Sequence, residues 1–275
     1  MTFLECSPRI LPQTINIKFR EMMFVAKKKA GKKAKNSKAV KKGPGKSSKK
    51  KVAPSFGSVS KAKGKSGAAS VREIIKRLHE LYPEADCELR HSNAHELLFA
   101  TIMSAQSTDK MVNKVTEDLF EKYPTVQDYV NADPEEFQVD IKSTGFFRNK
   151  TKAVLGAAKK IVEDYGGEVP DTMEEQIKLP GVARKTANVV LGTWFKKPTG
   201  VVVDTHVKRL AGRIGLSQQT NPDKIELDLM ELLPEDEWIF MGHSLIWHGR
   251  RICDAKKPLC SECKLESVCE KNGVE

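Results

Sequence analysis

From Val71 to the end of the chain the large apolar residues recur at helical spacing, and this pattern decides the fold class. Val71, Ile74, Ile75, Leu78 and Leu81 lie on one face of a 3.6-residue repeat, so a real amphipathic helix opens the ordered part. Ala94 to Ala105 is apolar on nearly all sides, which suits a central buried helix. Thr108 or Asp109 can cap the next helix, through Met111, Val112, Val115, Leu119 and Phe120. Asp133-Pro134 and the capping-box spacing at Asp171 to Glu174 mark two further starts. A helix from about Lys150 to Tyr165 stops at Gly166-Gly167, and two more run from about Asp223 to Leu233 and from Glu235 to Arg250. The only β-like run, Val201 to Val203, is too short to build a sheet. The expected fold is all-α.

Charge divides the chain differently. The formal charge of +11 over 275 residues points toward a polyanionic partner. Residues 1–70 hold 17 Lys and 2 Arg against Glu5 and Glu21, whereas residues 71–275 hold 28 basic and 34 acidic residues. A basic arm therefore precedes a mildly acidic folded part. Between Lys27 and Lys65 the only large apolar residues are Val40, Val52, Phe56 and Val59, too few to offset the entropy of ordering, so residues 1–70 are expected to be disordered. They read as a non-specific tether to nucleic-acid phosphates, or alternatively as a solubilising or localisation tail. Met22 and Met23 leave the start codon open. No apolar run is long enough for a membrane helix and no secretory signal is evident, so a soluble intracellular protein is expected.

Leu179 to Val190 (LPGVARKTANVV) reads as a hairpin between two helices. Pro180 and Gly181 end the first, and the second starts near Arg184 with unpaired backbone N–H groups, an anion site suited to a DNA phosphate. Most Pro-Gly turns are connectors only. Lys185 lies in the first turn of the second helix, where the macrodipole prefers an anion; that placement suits chemistry needing an amine nucleophile, although a solvated surface lysine is the simpler reading. Asp204 precedes another helical pattern and reads as its N-cap. Capping does not compete with function, because a carboxylate held beside a substrate can stabilise developing positive charge.

Cys253, Cys260, Cys263 and Cys269 give the spacing C-x6-C-x2-C-x5-C within 17 residues, and only Cys6 and Cys87 lie elsewhere. Four clustered thiols without a secretory signal favour a metal site over disulfides. A structural zinc site usually opens with two closely spaced cysteines. Here only Cys260 and Cys263 are so close, so an iron–sulfur cluster is favoured and zinc stays open. Four thiolates on a [4Fe-4S]2+ core would carry only a small net negative charge, leaving Arg250, Arg251, Lys256, Lys257 and Lys264 free to present a positive surface to phosphate.

SAQSTDK (104–110), LPGVARKTANVV (179–190), VDTHVKRL (203–210), LIWHGRRIC (245–253) and the cysteine spacing occur in this order, and together they resemble the endonuclease III family. The resemblance covers residues 71–275 and none of 1–70. It implies a two-domain helix-hairpin-helix DNA glycosylase fold: a six-helix barrel domain over 87–198, and an iron–sulfur cluster domain formed by 71–86 and 199–275. It further implies a monomer that removes oxidised or otherwise damaged pyrimidines from double-stranded DNA and cleaves abasic sites. The compartment is then the nucleoid and cytoplasm of a bacterium, or the nucleus or mitochondrion of a eukaryote.

Carried over residue by residue, the resemblance makes Lys185 the nucleophile, Asp204 its carboxylate partner, and Cys253, Cys260, Cys263 and Cys269 the ligands of a [4Fe-4S] cluster. Gln106 matches the residue that fills the gap left by a flipped nucleotide, and Phe146 stands where relatives place an apolar wedge. Gly181, Val182, Ala183, Arg184 and His206 become DNA contacts. One departure stands out: Ala183 replaces the second glycine of the usual Leu-Pro-Gly-Val-Gly hairpin, which would cost about 1 kcal/mol if that position needs positive φ. Two alternatives remain at this level. A related adenine glycosylase lacks the lysine, and a non-catalytic DNA-binding protein with a structural metal has no need of Lys185 and Asp204 together.

Overall fold

The computed structural model describes residues 68–274; residues 1–67 of the basic arm, Cys6 and the start-codon question lie outside them, whereas residues 68–70, expected to be disordered, form the start of the first helix. Every regular element among the described residues is helical, and Val201 to Val203 form no strand. No helix there is long and apolar enough to cross a membrane.

Two hydrophobic cores organise the chain. The first gathers residues from Leu89 to Leu191 and is built around α2 (Ala94–Ser104). Leu97, Leu98, Phe99 and Met103 of α2 are wholly buried, each contributing about 1.5–3 kcal/mol by leaving water. The helix starts where Asn93 Oδ1 accepts from Glu96 N at 2.9 Å and Glu96 reaches back to Ser92 N at 2.5 Å. Around α2 stand α3 (Asp109–Lys122), α4 (Val126–Asn131), α5 (Pro134–Asp140) and α6 (Phe147–Tyr165). Thr108 rather than Asp109 caps α3, Thr125 and Asp128 form a reciprocal capping box on α4, and Asp133 caps α5 ahead of Pro134. The sequence pattern starts α6 at Lys150, but it begins three residues earlier and ends on Gly166 at φ 65°.

The expected capping box at Asp171 does not form. Thr172 Oγ1 donates to Glu175 Oε2 at 2.9 Å instead, and α7 (Met173–Gln176) is a single turn that stops three residues short of Leu179. After the hairpin, α8 (Arg184–Thr193) packs back on α2.

The second core joins α1 (Ala68–Leu81) to α9 (Thr205–Ile214), α10 (Pro222–Leu232) and α11 (Trp238–Arg251). Val71, Ile74 and Leu78 of α1 meet Val207, Leu210, Met241 and Leu245 there. Residues 235–237, expected to open the last helix, form a separate 3-10 turn before it.

Candidate active site and cysteine pocket

The hairpin turns on Gly181. Its φ of 75° is left-handed, and a Cβ there would stand 2.5 Å from the Ala153 Cβ, so both the conformation and the space require glycine. Ala183 is the N-cap of α8 at φ −98° and ψ 171°, an ordinary extended conformation. The departure at this position therefore carries no backbone strain. No side chain caps α8, which leaves its first N–H groups without an internal acceptor.

Lys185 is the second residue of α8. It is exposed, and its amine makes no hydrogen bond or ion pair among the described residues. Asp204 caps α9, with Oδ1 accepting from His206 N and Val207 N, each at 2.8 Å. One oxygen thus fastens the carboxylate to the backbone, while Oδ2 makes no hydrogen bond or ion pair among the described residues. Lys185 and Asp204 line the same cleft, a space of about 910 Å³ that Gln106 also lines. Both also border a second hollow beside Lys208, toward α10.

Cys87 and His243 belong to the main cleft as well. Burial pushes the Cys87 thiol up to about 11, opposed only in part by its backbone hydrogen bond, so it is a poor nucleophile beside an accessible amine. Burial likewise lowers the His243 pKa, against the pull of Asp86.

Gln106 and Phe146 share a backbone feature that sequence patterns do not reveal. Both are non-glycine residues in the left-handed region, at φ 54° and 48°. Such conformations cost energy and gather at functional sites. Gln106 is exposed and its amide makes no hydrogen bond among the described residues. Phe146 is 61% exposed. His206 Nδ1 accepts from Arg209 Nη2 at 3.2 Å, leaving its Nε2–H as the available donor.

Several expected phosphate contacts are engaged elsewhere. Arg184 is held by Glu226, with Nη2 donating to Oε1 at 3.0 Å. Arg250 lines the cleft but is paired with Glu88 and, at 2.6 Å, with Asp109. Arg251 lies over the Trp247 ring at 3.9 Å and reaches Glu88 at 3.5 Å. Of the five, Lys256, Lys257 and Lys264 are exposed and make no ion pair among the described residues. Acidic partners more than a hundred residues away decided the difference.

Cys253, Cys260, Cys263 and Cys269 line one pocket together with Arg213, His248 and Leu265. None of the four is in a disulfide. Among the described residues no three His, Cys, Asp or Glu side chains converge closely enough to hold a single ion. Donors face them: Arg213 Nη1 lies 3.4 Å from Cys253 Sγ, His248 Nε2 3.3 Å from Cys263 Sγ, and Lys271 N 3.4 Å from Cys269 Sγ. Burial pushes His248 down to about 4, so its ring is neutral at ordinary pH, with Nδ1 in a 2.9 Å hydrogen bond to the Tyr82 hydroxyl. Four sulfurs lining a common pocket, three of them met by N–H donors, fit a multinuclear cluster held by thiolates.

The two helical cores and the Gly-turned hairpin are those of a helix-hairpin-helix base-excision fold. The family model described as HhH-GPD superfamily base excision DNA repair protein matches residues 99–235. Endonuclease III of Synechocystis sp. is 53% identical over 197 residues, covering 72% of this chain and 90% of that protein. A non-covalent endonuclease III–DNA complex aligns with a TM-score of 0.71 at 41% identity, over 74% of this chain and 96% of that one. A trapped endonuclease III–DNA covalent intermediate gives the same values. The chain belongs to the endonuclease III family, and is a DNA glycosylase and abasic-site lyase of base excision repair.

Glu226 and Asn188 are the residues the sequence pattern did not single out. A signal was present, since Glu226 falls between Ile225 and Leu229 on the buried stripe of α10, where a charged residue calls for a partner.

Proposed function

We propose that the chain, acting as a monomer on double-stranded DNA, removes oxidised pyrimidines with Lys185 as nucleophile and Asp204 as its carboxylate partner. The observation that carries this is the shared cleft, where an amine unpaired among the described residues and a carboxylate with one oxygen likewise unpaired lie beside Gln106. The target nucleotide leaves the stack and enters the cleft. Lys185 Nζ forms a bond to C1′ as the C1′–base bond breaks, and Asp204 offsets the positive charge that develops on the sugar. Opening of the C1′–O4′ bond then leaves an imine at Lys185. The imine acidifies the C2′ proton, whose loss expels the 3′ phosphate.

Gln106 is proposed to fill the vacated gap and Phe146 to enter the base step beside it, offsetting the cost of unstacking. The backbone N–H groups of Gly181, Ala183 and Arg184, at the entry to α8, and the His206 Nε2–H are proposed to take the backbone phosphates, whereas the expected contact at Val182 is not available through its N–H, which donates to the Leu179 carbonyl at 3.1 Å. The trapped covalent intermediate known for an endonuclease III supports a covalent route.

A panel of duplexes with single lesions tests the substrate class. Excision of oxidised pyrimidines and cleavage of abasic sites are expected. Removal of mispaired adenine without action on pyrimidines would contradict the proposal.

We further infer that Cys253, Cys260, Cys263 and Cys269 hold a [4Fe-4S] cluster, which would tie the C-terminal loop to α9 and α11. Purified protein is expected to be coloured and to carry about four irons per chain. Colourless protein with one zinc would overturn this assignment. Cys263→Ser is expected to lower both the iron content and the melting temperature.

A further inference from the structure

Beneath the hairpin helix lies a buried polar network that the chemistry above leaves unused. Glu226 is only 7% exposed, where an unpaired carboxylate would be costly. Arg184 meets it with a fork: Nε donates to Oε1 at 3.2 Å and Oε2 at 3.3 Å, and Nη2 to Oε1 at 3.0 Å. Asn188 Nδ2 donates to the same Oε1 at 2.8 Å, and Thr199 Oγ1 donates to Asn188 Oδ1 at 2.9 Å. Arg184 Nη2 also reaches the Thr199 carbonyl at 3.2 Å. The chain then passes so close that a Cβ on Gly200 would stand 2.1 Å from Glu226 Oε1.

The connectivity of this network is what matters. Arg184 and Asn188 lie one turn apart on α8 and bracket Lys185 in sequence, while Thr199 and Gly200 open the short segment that ends in Asp204. One carboxylate on α10 therefore grips both the helix carrying the amine and the segment carrying its partner. We propose that Glu226, acting through Arg184, Asn188 and Thr199, is a positioning residue that sets Lys185 against Asp204. This rests on the reading of those two residues as the reacting pair. It also gives Arg184 a task other than binding phosphate.

The test uses the full-length holoenzyme with Glu226→Gln, which keeps the shape and removes the charge, and Thr199→Val, which removes one hydroxyl at the network's edge. Two quantities are read separately: the single-turnover cleavage rate on an abasic duplex at saturating enzyme, per folded molecule, and the affinity for a duplex bearing a tetrahydrofuran abasic analogue. Glu226→Gln is expected to slow the rate on the order of tenfold or more while affinity stays within about threefold. Thr199→Val is expected to slow it by about threefold and to fold normally. A lower melting temperature with an unchanged rate would overturn the proposal and leave the network as fold stabilisation alone. So would lost affinity with a preserved rate, which would return Arg184 to the DNA. If Glu226→Gln does not fold, an unchanged rate in Thr199→Val overturns it. Failure of the underlying reading shows elsewhere, as a covalent adduct that survives Lys185→Ala.

Discussion

Lys185→Ala is expected to abolish covalent chemistry while leaving the protein at least as stable as before. The side chain is exposed and makes no hydrogen bond or ion pair among the described residues, so little is lost with it. Alanine has the higher helix propensity, and removing a cation from the first turn of α8 relieves an unfavourable interaction with the helix dipole of about 0.3–1 kcal/mol. Activity should move the opposite way. A nucleophile whose bond to C1′ is both the glycosylase step and the origin of the imine has no substitute, and losses on the order of a thousandfold or more are expected for both reactions. Melting curves and single-turnover assays on the same preparation check the pair of outcomes. A variant that loses activity by unfolding would show both falling together.

Asp204→Asn should separate the two tasks of the carboxylate. Asparagine is as good an N-cap as aspartate, so its Oδ1 can keep the bonds to His206 N and Val207 N, and stability should change by less than about 1 kcal/mol. The charge facing the cleft is gone, and with it the electrostatic support for a cationic sugar. A rate loss on the order of a hundred- to a thousandfold is expected, at nearly unchanged DNA affinity. Asp204→Ala should lose the rate and also about 1 kcal/mol of stability, because the first N–H groups of α9 then lack an acceptor. Equal rates for wild type and Asp204→Asn would reduce this residue to a cap.

Those residues were legible in the sequence because local chemistry fixes them. Asp204 precedes a helical pattern and Gly181 follows a proline, and each takes the conformation its type prefers. Asp133 and Thr108 cap helices for the same reason. The cysteines too are close in sequence, and they line one pocket. Charge pairing was not legible. Arg184 and Arg250 look available for phosphate until α10 brings Glu226 to one, and the 86–88 segment and α3 bring Glu88 and Asp109 to the other. The left-handed backbone at Gln106 and Phe146 was equally hidden, since neither residue type announces positive φ. At Asp171 the local signal misled, because Thr172 found Glu175 rather than a backbone N–H.

The central claim is that one amine carries the reaction, and mapping that amine tests it most directly. Wild-type protein incubated with abasic duplex and borohydride, then digested with nuclease and protease, should yield a sugar remnant on the peptide containing Lys185, located there by fragmentation in the mass spectrometer. Lys208, which borders the same hollow, provides the internal comparison. A remnant on Lys185 alone is the predicted result. A remnant on Lys208 or any other amine, or active enzyme that yields no trapped adduct, would contradict the account.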